Sequence, residues 1–178
     1  MSALGEELGE LSRQLRSVHP VAYASLNPGI DPEVAVEVLG MPLPPSVLEW
    51  FSWRNGSRYE RGQLQDDVDI IPGYGLLSAE EALPIRQSHV ADEELGEKWV
   101  PILWNPGGDM YAAVWGGRDD AAVVSAFEGE GAEPEFDSMA DMVRFFNACY
   151  SRGAFFADEG FLDVNESIES IIHGEMFG

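Results

Sequence analysis

The stretch WVPILWNPGGDMYAAVWGGRDDAAVVSAF, residues 99–127, decides the fold. It holds three runs of apolar and aromatic residues, 99–104, 110–115 and 121–127, separated by NPGGD and GGRDD. Short loops rich in glycine, asparagine and aspartate join neighbouring strands as antiparallel hairpins. Because the runs are apolar almost throughout, helices should cover much of the sheet. The stretch therefore predicts a mixed or antiparallel sheet covered by helices.

Helical patterns occur on both sides of this stretch. Leu4, Leu8, Leu11, Leu15 and Val18 recur at intervals of three and four, which predicts a helix over residues 4–18 that ends before Pro20. A second helix is predicted at 31–40 with Asp31 as its N-cap, and a third at 45–55 that Gly56 ends. A fourth begins at Ala79, where Ser78 and Glu81 form a capping box. Two more are predicted at 138–151 and 163–173. Segment 57–69 is predicted as an exposed loop that leads into a strand at 68–71, and segment 129–135 as a loop of glycine and glutamate.

Length and composition favour one α+β domain over the whole chain, 1–178. A chain of 178 residues with 45% hydrophobic residues can build a single core, and neither an internal repeat nor a shift in composition divides it. We expect the core of this domain to cover about residues 30–150, with the N-terminal helix 4–18 before it and a helical tail over 154–178 after it.

The charge is strongly negative. The chain has 32 acidic and 10 basic residues, a formal net charge of −22 at pH 7, which repels nucleic acid and anionic membranes and attracts cationic partners. The alternative is that the excess of acidic residues only keeps the protein soluble. The sequence shows no export signal and no apolar run long enough to span a membrane. The single cysteine, Cys149, excludes an intramolecular disulfide, so we expect a reducing, cytoplasmic setting.

No pattern of catalytic or metal-ligating residues is present in the sequence. His19, His89 and His173 lie far apart and none has the spacing of a zinc ligand set. The Gly107-Gly108 pair is followed by aspartate rather than by the lysine of a phosphate-binding loop, and no Gly-x-Ser-x-Gly elbow occurs. We therefore expect no enzyme activity, no metal and no cofactor.

Exposed loops and one tryptophan are the candidates for binding a partner protein. Among the five tryptophans, Trp53 follows the apolar stripe of its helix and stands beside Arg54, so it is the one that we expect to be partly exposed. The full set of candidate contact residues is Trp53, Arg58, Asp66, Asp67, Asp69, Asp119 and Asp120. The alternative for the aspartates is that they are ordinary solvated loop residues.

The order of several motifs resembles the SUKH superfamily, which includes relatives of a fungal cell-wall assembly regulator and many bacterial immunity proteins. The resemblance covers about residues 30–150. Its motifs are LPPSVLEWF at 43–51 with RNGS at 54–57, WVPI at 99–102, GGDMY at 107–111 and the late helix from 139 to 150. It implies an α+β domain with helices packed around the sheet, and it carries over no catalytic residue.

The resemblance and the charge together favour a protein-binding function. The first hypothesis is an immunity protein that neutralises a bacterial toxin by occluding it. Many such toxins are nucleases with cationic surfaces. An acidic protein would be attracted to such a surface and could block it. The alternative is a housekeeping scaffold or regulator related to cell-wall assembly control, with no toxin partner.

Overall fold

The structure is a computed structural model that describes residues 1–89 and 92–178. The helices in these ranges are α1 (Ala3–Val18), α2 (Pro20–Ser25), α3 (Pro32–Leu39), α4 (Pro45–Trp53), α5 (Ala79–Ser88), α6 (Met139–Ser151) and α7 (Glu166–Phe177). The strands are β1 (Leu26–Pro28), β2 (Arg54–Ser57), β3 (Gly75–Leu76), β4 (Trp99–Trp104), β5 (Met110–Val114), β6 (Ala122–Phe127), β7 (Gly131–Phe136), β8 (Phe155–Asp158) and β9 (Phe161–Val164). A 3-10 turn covers Gln65–Val68.

A five-stranded antiparallel sheet with the order β3-β4-β5-β6-β7 forms the centre of the fold. The runs at 99–104, 110–115 and 121–127 form its three middle strands, joined by hairpin loops as the sequence predicts. Two smaller antiparallel pairs, β1 with β2 and β8 with β9, stand apart from it. The predicted α+β fold, with an antiparallel sheet covered by helices, is confirmed.

Strand alternation divides the sheet into two apolar faces. Ala113 of β5 and Trp115 directly after it join the main core, whereas Met110 and Ala112 of β5 belong to a smaller cluster on the opposite face. On that face Leu95, from the segment before β4, packs in the same cluster. Both faces are therefore covered, which is why these strands are apolar throughout.

A layer of helices closes the main core. Leu8, Leu11 and Leu15 of α1 are almost completely buried, as their spacing predicts, and α1 packs along α6. The hydroxyl of Tyr150 on α6 donates a 2.5 Å hydrogen bond to the carbonyl oxygen of Ile70, which fixes the loop before β3. Within the described ranges, no helix combines the length and the apolar character that crossing a membrane requires.

The predicted end of the first helix before Pro20 is confirmed, but the sequence pattern does not predict α2, and the predicted end of the 45–55 helix is wrong. Pro20 begins a helix, α2, rather than only ending α1, because proline fits the first helical position. Helix α4 ends at Trp53 instead of continuing to residue 55, because Arg54–Ser57 pairs with β1 as β2. Gly56 has a φ of 77°, and a Cβ there would come within 2.7 Å of the Ser78 nitrogen, so this strand can lie against the start of α5.

Three other predictions of local structure are wrong. The predicted loop at 129–135 overlaps the edge strand β7, which carries Pro134 and pairs with β6. The predicted strand at 68–71 is absent, because Val68 ends the 3-10 turn and Ile71 forms only an isolated bridge with Tyr74. The tail over 154–178 is not wholly helical, since the β8–β9 hairpin precedes α7.

Candidate protein interface

A cavity of about 280 Å³ opens at the end of the sheet where the β4–β5 and β6–β7 loops lie side by side. The two loops are adjacent because β5 and β6 are antiparallel, with Met110 opposite Ala126. The buried side chains of Met110 and Ala126 line the cavity, together with His89 at the end of α5. The cavity thus has an apolar floor at a solvent-exposed end of the sheet.

Asp92 and Glu128 line this cavity, three more carboxylates adjoin its lining residues, and we call the five together the acidic end. They come from three separate segments of the chain, and they are Asp92, Glu94, Asp109, Glu128 and Glu130. No lysine or arginine from the described ranges lines the cavity. A cluster of one sign of charge beside a low-dielectric floor concentrates the electrostatic field and favours cationic groups.

Two carboxylates of the acidic end are held by backbone N–H groups. Asp109 accepts a 3.1 Å hydrogen bond from the Glu128 nitrogen, and Glu94 accepts a 2.6 Å bond from the Ala132 nitrogen. Gly131 has a φ of 90°, and a Cβ there would lie 2.5 Å from the Glu94 carboxylate, which would then have to shift. These bonds fix the loop charges, which lowers the entropy lost when a partner binds.

Most of the negative charge has no internal counter-charge. Only four ion pairs within 4 Å occur in the part of the chain that the structure describes, and all four involve arginine. They neutralise Glu7, Glu10, Asp141 and Glu175, none of which belongs to the acidic end. The 32 carboxylates therefore leave a large external field for a cationic partner.

An exposed aromatic side chain stands among these carboxylates. Phe127 is 42% exposed, lines the cavity and directly precedes Glu128. Aromatic residues next to desolvated pockets contribute a large share of binding energy in protein interfaces, and a phenyl face also attracts guanidinium and ammonium groups. Phe127 with the acidic end thus combines an apolar anchor and a charged rim.

Trp53 ends α4 and Arg58 follows β2, and neither residue lines the cavity of the acidic end. Trp53 is half-buried against Trp50, with ring centres 5.5 Å apart, and its Nε1 donates a 2.9 Å hydrogen bond to the Ser12 hydroxyl. Arg58 is exposed and donates a 2.7 Å bond to the Ala24 carbonyl oxygen. Trp53 is therefore engaged mainly in packing α4 on α1, whereas Arg58 remains accessible.

The three aspartates of the 57–69 loop have different environments. Asp66 is exposed, and Asp67 accepts a 2.7 Å bond from the Leu64 nitrogen at the start of the 3-10 turn. Asp69 is only 5% exposed, so its prediction as a loop contact is wrong. Burial, and then the nearby charge of Asp66, raise the pKa of Asp69 to about 7.

Asp119 and Asp120 lie in the β5–β6 loop. Asp120 accepts hydrogen bonds from the Ser46 nitrogen at 3.1 Å and from the Ser46 hydroxyl at 2.5 Å, so it caps the first turn of α4. Asp119 is exposed. Ser46 and Trp53 are separated by seven residues of helix, about 10 Å along the axis. Asp120 therefore lies at the opposite end of α4 from Trp53.

The described ranges contain no group of three or more histidine, cysteine or carboxylate side chains placed to hold a metal ion. Cys149 is buried, and burial raises the pKa of its thiol to about 12, so the thiolate is scarce near neutral pH. His19 is buried between two carbonyl oxygens, those of Asp69 and Gly160, each 3.1 Å from a ring nitrogen. These groups have structural roles.

Sequence reasoning missed Phe127 and the acidic end. The available signal was an aromatic residue at the end of a strand, followed by Glu128-Gly129-Glu130. Glu94 and Asp92 could not be assigned to the same site from spacing, because the segment before β4 reaches the loops only through the fold. No protein-family model and no curated protein sequence matches the chain.

Proposed function

We propose that the chain is an acidic protein-binding module of the SUKH type that acts by occluding a basic partner protein. The most specific form of the proposal is an immunity protein that neutralises a bacterial toxin, with a nuclease domain as the fitting toxin class. The observation that carries it is the acidic end, where five carboxylates without ion pairs in the described ranges lie in or next to the lining of a cavity beside the exposed Phe127.

Charge provides the first step of the argument. A surface with unpaired, backbone-fixed carboxylates steers a cationic protein and pairs with its lysines and arginines on contact. A nuclease needs a cationic surface for its anionic substrate, so a bound acidic module would cover the surface that the nuclease uses. Phe127 then supplies an apolar contact that charge alone cannot provide.

A binding role also agrees with the absence of any recognised catalytic pattern in the sequence and with the inert setting of Cys149. We therefore propose no enzymatic step and no cofactor. A buried, unpaired thiol fits a reducing compartment, so we place the protein in the cytoplasm, where an immunity protein would meet an incoming toxin domain.

The experiment is affinity capture from a lysate of the source cells, with elution by rising salt and identification by mass spectrometry. The variant Glu128→Lys/Glu130→Lys reverses two exposed charges that accept no hydrogen bond from a described residue. The control Glu33→Lys/Glu37→Lys makes the same change in net charge on the exposed side of α3.

Salt shortens the range of charge interactions from about 10 Å at 0.1 M to about 3 Å at 1 M. We expect wild type and the α3 control to retain a basic protein that salt releases, and the acidic-end variant to lose it. Equal retention by all three baits would contradict the proposed surface. Recovery of cell-wall or regulatory proteins instead of a basic toxin-like protein would contradict the immunity function and favour a scaffold.

A further inference from the structure

A second charged feature, of opposite sign, lies where the end of α1, helix α2 and strand β2 meet. Arg16 and Arg54 lie at the Tyr23 ring there, Arg58 bonds to the neighbouring backbone, and we call the three the guanidinium cluster. The guanidinium carbon of Arg16 is 4.7 Å from the centre of the Tyr23 ring, and that of Arg54 is 5.9 Å from it. Arg58 bonds to the carbonyl of Ala24, the next residue after Tyr23.

None of these three arginines forms an ion pair with a carboxylate in the described ranges. Among the described residues, seven of the ten basic side chains lack an ion pair, so what distinguishes Arg16 and Arg54 is that both lie over the same ring. Two guanidinium groups beside one ring repel each other, and an anion between them would remove that repulsion. The fold therefore gathers positive charge at one place and supplies no internal carboxylate to balance it.

The hydrogen-bonding capacity of the cluster is also incompletely used. The Nε of Arg54 is buried and has no hydrogen-bond partner among the described residues. Arg16 donates one bond, 2.5 Å long, to the hydroxyl of Tyr23, and each guanidinium has five donors. The bond from Arg16 lowers the pKa of Tyr23, which is the effect that a local excess of positive charge has on an acid.

We propose that the guanidinium cluster is a binding site for a phosphate group, carried by a small phosphorylated molecule or present as inorganic phosphate. A phosphate group has several terminal oxygens, so it can bridge the separate forks of Arg16 and Arg54 at once, whereas a carboxylate pairs best with one fork. Tyr23 would hold the two guanidinium groups apart beneath the anion. This site does not depend on the proposed toxin partner.

The test is a titration of the protein with inorganic phosphate at constant ionic strength, followed by proton–nitrogen NMR of the arginine Nε–H groups. We expect a saturable shift of the Arg16 and Arg54 signals. The variant Arg54→Gln should weaken the apparent affinity by about tenfold or more, since a charge-assisted hydrogen bond is lost. Arg118→Gln, which removes an exposed arginine of the β5–β6 loop, should leave the affinity unchanged.

A second variant keeps the experiment decisive if Arg54→Gln proves unfolded by circular dichroism. Arg16→Lys retains the charge of an exposed residue but loses the fork, so it should weaken phosphate binding while the fold is kept. Shifts that grow without saturation, or that are equal in wild type and the folded variant, would overturn the proposal. An equal response to acetate at the same ionic strength would overturn the assignment to phosphate.

Discussion

Replacing Asp69 by asparagine should make the protein less sensitive to alkaline conditions. The Asp69 carboxyl is buried, accepts hydrogen bonds from the Gln65 amide and the Gly73 nitrogen, and lies near the charge of Asp66. Its pKa of about 7 in the folded chain exceeds its ordinary value of 3.8. The folded chain therefore holds the Asp69 proton more tightly than the unfolded chain does. The resulting stability is fully present only below the pKa that Asp69 has in the unfolded chain.

The sign of the pH dependence follows from this difference. As pH rises from about 4 through about 7, the unfolded chain releases the Asp69 proton more readily than the folded chain, so stability falls. Because each pKa unit is worth about 1.4 kcal/mol, the difference between the folded and unfolded pKa of Asp69 limits the loss of stability to about 4 kcal/mol. Water reaches the surrounding loop and reduces this effect. Between about pH 5.5 and about pH 8, we expect a loss of about 1–2 kcal/mol.

Urea unfolding of wild type and Asp69→Asn at both pH values measures this loss. Urea is uncharged, so it does not screen charges as a salt would. The other carboxylates titrate in both proteins, so their contribution cancels when the two free energies of unfolding are subtracted. The asparagine variant should gain about 1–2 kcal/mol relative to wild type on going from the lower to the higher pH. Asp66→Asn should show a smaller gain of the same sign, because it removes only the neighbouring charge. A variant that loses stability relative to wild type at the higher pH would refute the reasoning.

Three further predictions concern capping, backbone conformation and net charge. Asp120→Ala should cost about 1–2 kcal/mol in urea unfolding because it removes the cap on Ser46, whereas the exposed Asp119→Ala should cost little. Gly56→Ala should cost more than about 2 kcal/mol, because its positive φ and the nearby Ser78 nitrogen both disfavour a Cβ. Raising NaCl from about 0.05 M to about 0.5 M should raise the Tm, since salt screens the self-repulsion of a −22 chain; an unchanged or lower Tm would contradict this.

Elements with a strong local pattern could be predicted from the sequence. The leucines of α1 recur at helical spacing because one side of that helix lies on the core, and the three central strands are apolar because both faces of the sheet are covered. By contrast, β7 contains glycine, proline and glutamate, which strands usually avoid. It forms only because β6 offers a partner along one edge.

The candidate site was less predictable than the fold, because burial and proximity depend on distant parts of the chain. Asp69 has the composition of a loop residue, yet the Gln65 side chain and the turn at Gly73 enclose it. Asp120 looked like a free loop charge, but the fold brings the start of α4 to it. The acidic end likewise unites three segments that have no fixed spacing in sequence.

Growth of cells that express the captured basic partner tests the central claim most directly. We expect expression of that partner to stop growth. Wild type and the control Glu33→Lys/Glu37→Lys should restore growth, and Phe127→Ala/Glu128→Lys should not, although it folds. Phe127 and Glu128 are exposed, so their replacement should cost little stability. Full rescue by the folded acidic-end variant would contradict the proposed surface, and failure of wild type to restore growth would contradict the immunity function.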